Sequence, residues 1–171
     1  MKTPSVIWLT GLSSSGKTTI SKRLYKNLAE DYSPIVLLDG DDIRIAFGED
    51  LGHKESDRII QIKRIQNIAN ILVKQNISVI VAALYSSKDL LHWNRHNLKN
   101  YFEIYLKASI KTVESRDTKN LYSPALDGKI KNVVGIDIDY SHPKNSDVVV
   151  DMDKNPSIPE VLSEIIRELK K

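Results

Sequence analysis

An α/β fold, with a mostly parallel five-stranded sheet covered by helices on both faces, is what the 171-residue sequence predicts. Two observations carry this expectation. Short β-rich apolar runs alternate along the chain with stretches of helical spacing, and a glycine-rich turn sits between the first run and the first helical stretch. Alternation of this kind favours a parallel sheet, because each crossover must pass over a sheet face and its helix then covers that face. Such sheets bind ligands beyond the carboxyl ends of their strands.

The elements follow in chain order. "SVIWLT" at 5–10 is the first strand, and Ile20, Leu24 and Leu28 then share one helical face. "IVLLDG" at 35–40 is the second. Ile62, Ile65, Ile68, Ala69 and Leu72 form the next apolar face and lead into "SVIVAAL" at 78–84. "YFEIYLKA" at 101–108 and "DVVVDM" at 147–152 complete the sheet. The stretch at about 117–145, with Pro124, Gly128, Gly135 and Pro143, has no long period. It reads as a surface loop or as a lid. Long structureless segments inside compact domains are usually functional or disordered, and this one carries or adjoins Arg116, Lys119, Lys129 and Lys131.

Composition bounds the class. A chain of 171 residues, 41% apolar and 27% charged, is expected to form one domain over 1–171. The net charge of +3 is spread along the chain, which suits small anionic ligands better than nucleic acid. The absence of cysteine excludes disulfides and thiolate metal sites and agrees with a reducing compartment. No apolar run approaches the roughly 18 residues of a membrane span. The expectation is a soluble, cytoplasmic protein.

The glycine-rich turn is "GLSSSGKT", 11–18, and fits G-x-x-x-x-G-K-[ST] in the strand-to-helix context the pattern requires. Gly11 and Gly16 permit backbone conformations and approaches that a Cβ would obstruct, so successive N–H groups can face a phosphate chain. Lys17 supplies a cation to the β and γ phosphates, and Thr18 offers a hydroxyl to Mg²⁺. Gly11, Ser13, Ser14, Ser15, Gly16, Lys17, Thr18 and Thr19 are the candidate ATP contacts. The expected architecture is thereby a three-layer fold of the P-loop NTPase type.

A second constellation, "LLDGDDIR" at 37–44, places Asp39, Asp41 and Asp42 where an apolar run stops. A carboxylate there can reach Mg²⁺ or accept a proton from an attacking hydroxyl, and Asp41 is the residue favoured for it. Asp42 reads equally as an N-cap for the next helix. Arg44, about a turn beyond Asp41, suits a phosphate on a second substrate. In "ESDRIIQIKRI", 55–65, Arg58, Gln61, Lys63 and Arg64 form a basic cluster or a solvated helix face, and Asp57 could hold Arg58.

These features favour phosphoryl transfer to a small anionic acceptor. No Asn-Lys pair is present to begin a guanine-reading tetrad, and a motor would ordinarily bring more chain. A nucleotide-binding module without turnover is the non-enzyme alternative.

"WLTGLSSSGKTT", "LDGDDIR", "LG" followed by "SDR", "RDTKNLY" and "GIDIDY" stand in an order and spacing that resemble the adenylylsulfate kinases over nearly the whole chain. The resemblance implies a P-loop kinase, a homodimer, that uses ATP with Mg²⁺ and phosphorylates the ribose 3′-hydroxyl of a nucleotide with a mixed anhydride on its 5′ side. By position it implies that Asp41 assists the 3′-hydroxyl; with Lys17 it is the catalytic candidate, and Thr18 and Asp41 are the candidate metal ligands read from their motifs. Arg44 and Arg58 would hold the acceptor's phosphate region, Lys119 would close from the lid, and Arg116 would lie near the ATP adenine.

Departures from the family pattern fall on the acceptor side and the lid. His53 and Val133 stand where the family has two phenylalanines that sandwich adenine, Gln61 replaces Asn, and Asn120 replaces Gly. Leu126 replaces Arg, and Leu84-Tyr85-Ser86-Ser87 replaces Ile-Ser-Pro-Tyr. Losing both rings forfeits about 1–3 kcal/mol of stacking each. A smaller pyrimidine, read partly by hydrogen bonds from His53, Gln61 or Tyr85, fits the replacements, with Leu84 to Ser87 as the acceptor wall. The pattern is similar to the branch of the family that acts on cytidine diphosphoramidate in capsule phosphoramidate pathways; an adenylylsulfate kinase with an altered pocket is the alternative.

Overall fold

The computed structural model describes residues 6–32, 34–85 and 87–171, so the expected strand start at Ser5 and Ser86 of the expected acceptor wall lie outside the described residues. The five strands are β1 (Val6–Thr10), β2 (Ile35–Asp39), β3 (Ser78–Ala82), β4 (Tyr101–Lys107) and β5 (Val148–Asp151). They form a sheet in the order β2-β3-β1-β4-β5, and every pairing is parallel, which sharpens the expectation of a mostly parallel sheet. β1 and β3 are buried along their whole length, as continuous apolar runs covered on both faces must be.

Connection geometry sets the layers. β1 passes through α1 (Lys17–Leu28) to β2 at the sheet edge. The chain then returns through α2 (Gly40–Ala46) and α3 (Glu55–Lys74) to β3 and runs through α4 (Lys88–Asn97) to β4. Right-handed crossovers in opposite directions put α1 on one face and α3 with α4 on the other. α7 (Ile158–Leu169) packs beside α1. Ile20, Leu24 and Leu28 of α1 and Ile62, Ile65 and Ala69 of α3 are buried, as their spacing predicts; Ile68 and Leu72 are half-buried.

α3 is fixed by a polar network as well as by apolar packing. Gln66 Nε2 donates to Asn94 Oδ1 (2.7 Å), Asn94 Nδ2 to Tyr101 Oη (3.1 Å), and Tyr101 Oη to the buried Glu103 (2.8 Å). Satisfied buried polar groups of this kind hold one arrangement. The helix that carries Arg58 and Gln61 is therefore rigidly seated.

The segment at 117–145 has more structure than its sequence suggests. α5 (Ile110–Ser115) precedes it, and it contains α6 (Tyr122–Leu126). The Asp117 carboxylate accepts from the N–H groups of Leu121 and Tyr122, and that of Asp137 accepts from Asn132 and Val133. Tyr122 is fully buried and donates to Ser13 O at 3.0 Å, which ties α6 to the glycine-rich turn. Periodicity has little to register in five helical residues. Among the described residues no helix is long and apolar enough to cross a membrane.

Candidate active site

In the parallel register Asp39 sits opposite Ala82, and Ala82 opposite Leu9, so β2, β3 and β1 end at one level. The turn after β1 and the carboxylates after β2 are thus brought together at the carboxyl edge.

The 11–18 turn closes tightly. A Cβ on Gly11 would stand 2.6 Å from Leu106 O, which no other residue can tolerate, and Gly16 caps α1 in the left-handed region at φ 102°. Lys17 Nζ donates to Gly11 O (2.9 Å) and Leu12 O (2.7 Å). Burial lowers the Lys17 ammonium to about 8, against the charges of Asp39 and Asp41 and with that of Lys119. Ser13, Ser14 and Ser15 lie inside the turn, and Thr19 is exposed at the start of α1.

Thr18 Oγ1 donates to Asp39 Oδ2 at 2.8 Å, and Asp39 is buried. Asp39 also caps α2, its Oδ1 accepting from Asp41 N at 2.9 Å. The cap is therefore Asp39; Asp42 lies exposed in the first turn, because the helix starts one residue after β2. A hydroxyl beside a carboxylate offers two hard oxygens, which fits Mg²⁺, an ion that takes one or two protein oxygens and fills its shell with water and phosphate. Sequence reading noted Asp39 in the motif but paired Thr18 with Asp41.

Asp41 meets Lys119 from across the cleft, Nζ to Oδ2 at 2.5 Å. Burial raises the Asp41 carboxyl, but the hydrogen bond and charge of Lys119, then Lys17 and Arg44, carry it below its ordinary range. It is ionised at neutral pH and able to accept a proton. Arg116 Nη2 donates to Met152 O (3.1 Å) and Asn155 Oδ1 (2.8 Å), which brings the loop after β5 to this side of the site; Asn155 carried no signal in the sequence.

Residues expected on the acceptor side gather around the turn at 51–53. Arg44 Nη1 donates to Leu51 O (2.7 Å) and Gly52 O (3.0 Å). Arg58 Nε donates to His53 O (2.9 Å) and its Nη2 to Asn132 O (2.8 Å). Carbonyl oxygens, rather than Asp57, hold Arg58, because the guanidinium fork spans two loops that an adjacent carboxylate would not bridge. Arg58 thereby joins the two stretches that contain His53 and Val133. Burial and the neighbouring Arg44 lower the Arg58 guanidinium, and burial followed by Arg44 and Arg58 lowers His53, which is neutral at pH 7. Two arginines near enough that one lowers the other's basicity could together hold an anion.

Gln61 Nε2 donates to Gly40 O (3.1 Å), and its buried Oε1 has no hydrogen-bond partner among the described residues. Tyr85 is buried and its hydroxyl donates to Glu55 Oε1 at 2.6 Å. Leu84 is half-buried against the core, and Val133 is buried. Arg64 does not join the cluster: it pairs with Asp50 (2.5 Å) and lies over Phe47 at 4.6 Å. Lys63 is exposed, so the solvated reading holds for it; Lys129, in the 117–145 stretch, pairs with Asp127.

Comparison with known proteins agrees with this geometry. The adenylylsulphate kinase family pattern matches residues 3–151. The chain is 39% identical over 170 residues to the cytidine diphosphoramidate kinase of Campylobacter jejuni, covering 97% of this chain and 96% of that protein. It is 38% identical over 150 residues to the adenylyl-sulfate kinase of Pseudomonas aeruginosa, covering 86% of this chain and 76% of that one. A solved structure of the Mycobacterium tuberculosis APS kinase in complex with AMPPNP and APS matches with a TM-score of 0.88 at 30% identity, over 100% of both chains.

Proposed function

Since the chain belongs to the adenylylsulphate kinase family, an ATP-using small-molecule kinase family, we propose that it transfers the ATP γ-phosphoryl group to the ribose 3′-hydroxyl of cytidine diphosphoramidate. It would do so as a single-domain, cytoplasmic homodimer in capsule phosphoramidate biosynthesis. One observation carries the choice of acceptor. Arg58 joins the loops at His53 and Asn132, and these loops present an imidazole and the aliphatic Val133 where the family's adenine sandwich needs two rings.

The residues then divide the work. N–H groups from Gly11 to Thr19 cradle the phosphates, Lys17 leaves its carbonyl partners for the β and γ oxygens, and Arg116 borders the ATP adenine. Thr18 with Asp39, and Asp41 beside them, would hold Mg²⁺, which offsets charge on the β and γ phosphates. Arg44 and Arg58 bind the acceptor's 5′ phosphates, and His53, Gln61, Leu84, Tyr85 and Val133 line its base and sugar. Asp41 takes the proton of the 3′-hydroxyl as that oxygen bonds to the γ phosphorus and the bond to the β–γ bridging oxygen breaks. Lys119, on the lid at 117–145, exchanges its Asp41 contact for acceptor or phosphate oxygens.

The second reading is adenylylsulfate phosphorylation, favoured by the nearly equal identity to the P. aeruginosa enzyme. The purified chain is incubated with MgATP and each acceptor, following ADP release and the new 3′-phosphate. Turnover is expected with the cytidine acceptor. Rapid turnover with adenylylsulfate alone would overturn the proposal in favour of the second reading, and no acceptor-dependent ADP with any nucleotide would make the chain a binding module.

A further inference from the structure

The hydrogen bond between Tyr85 and Glu55 has no role in phosphoryl transfer. Tyr85 follows β3, only 4% exposed as a residue, and reaches across to Glu55, the first residue of α3. Burial and the Glu55 carboxylate push the Tyr85 phenol up to about 12, so its hydroxyl stays protonated and donates. The carboxylate is thus held by a rigid, buried ring instead of moving freely at a helix start. An ionised carboxylate offers about four acceptor positions and no donor, and Tyr85 occupies one.

Its neighbours place it within the acceptor site. Glu55 lies two residues after His53 and one helical turn before Arg58, the residue that joins the two acceptor loops. The charge of Arg58 is felt at the Tyr85 hydroxyl. Gln61, also an acceptor through Oε1, is tied to Gly40 O beside Asp41 and so belongs to the end of the acceptor where the 3′-hydroxyl reacts. On the acceptor reading proposed above, Glu55 and Tyr85, beside His53 and Arg58, belong to the base end.

We propose that Glu55, positioned by the Tyr85 hydroxyl, is a specificity residue that selects an acceptor base carrying an exocyclic amine and rejects one carrying an oxo group at that position. Cytosine presents an amine that a carboxylate accepts from, whereas uracil presents O4, an acceptor that a carboxylate repels. A neutral imidazole or a free amide could turn to suit either base; a pinned carboxylate cannot. This inference rests on the cytidine reading of the same site and adds the means of telling cytidine from uridine.

The test compares kcat/KM for 3′-phosphorylation of CDP and UDP by the full chain and two variants. The wild type is expected to favour CDP by about 100-fold, and Glu55→Gln, whose amide can donate to O4, to shrink that ratio by about tenfold or more, chiefly by lowering KM for UDP. Tyr85→Phe, which frees the carboxylate, should give an intermediate ratio. A gain of uridine use is a change that loss of a merely structural contact would not produce. Equal use of CDP and UDP by the wild type, or an unchanged ratio in Glu55→Gln, overturns the inference and leaves the cytidine reading standing. Turnover of adenylylsulfate with neither pyrimidine overturns both.

Discussion

On the donor side the phosphate loop holds its own lysine, and distant chain buttresses it. Lys17 reaches carbonyls six and five residues back along the chain, and Gly11 packs where a Cβ would strike Leu106 O. On the acceptor side the same kinds of group reach across the fold: Arg58 donates to a carbonyl 74 residues away, Lys119 pairs with Asp41 across 78, and Tyr85 reaches Glu55 across 30. Few sequences satisfy the phosphate loop, because Gly11, Gly16, Lys17 and Thr18 must stand at fixed offsets in one turn. On the proposed reading the acceptor site is assembled from separate loops, so residues at 53, 61, 85 and 133 could change while the arginines and Asp41 stay in place. A kinase built this way can keep its chemistry and change its substrate.

Removing Asp41 separates the halves most sharply. Asp41→Ala should lower kcat by about a thousandfold, the range for loss of a positioned general base. Because Asp41 also supports the Lys17 charge and would share Mg²⁺ with Thr18 and Asp39, affinity for a non-hydrolysable ATP analogue should fall as well, but by about tenfold or less, far short of the loss in kcat. Steady-state kinetics and calorimetric titration measure the two. Turnover close to wild type would remove Asp41 from proton transfer.

Asp39 belongs to both halves, since it holds Thr18 with one oxygen and caps α2 with the other. Asp39→Asn keeps a good cap but weakens the charged partner of Thr18. The expected result is a loss of about 10- to 100-fold in Mg²⁺ affinity or activity, partly recovered at high Mg²⁺, with a melting temperature near that of the wild type. A magnesium titration identical to the wild type would assign Asp39 to helix capping alone.

The same contrast governs what the sequence discloses. The five strands and the phosphate loop are legible because each is a local pattern: an apolar run, or glycines and a lysine at fixed offsets. Asp41, Arg44 and Arg58 are legible as residue types in motifs, but what holds them is not. Asp57 is adjacent to Arg58 in sequence and looks like its partner, yet the guanidinium goes to His53 O and Asn132 O, and only the folded chain brings Asn132 there. Helix α6 escapes notice because its stability comes from Asp117 accepting its first N–H groups and from buried Tyr122, not from any amphipathic repeat. Glu55 gives no signal at all, being one acid in a charged helix start until Tyr85 is seen to bond it.

Lys17 offers the smallest effect and a test of how preformed the donor half is. Burial holds its ammonium at about 8 in the free protein, and the charges of Asp39 and Asp41 keep it from falling further. The cation is therefore lost as pH rises through about 8. Bound phosphates would favour the charged form and raise it again. KM for ATP should accordingly rise about three- to tenfold between pH 7.5 and 9 while kcat at saturating ATP stays nearly level, since kcat/KM reports groups of the free enzyme. In Asp39→Asn one supporting charge is gone, so the rise in KM should begin at lower pH. The unfolded chain holds its lysine proton up to about 10.4, so Lys17 makes stability increase, not decrease, with pH across this window; loss of ATP affinity there cannot be put down to unfolding through Lys17. A KM for ATP that does not change over this range would mean that Lys17 keeps its proton in the free enzyme, and that its contacts with Gly11 O and Leu12 O outweigh the cost of burying it.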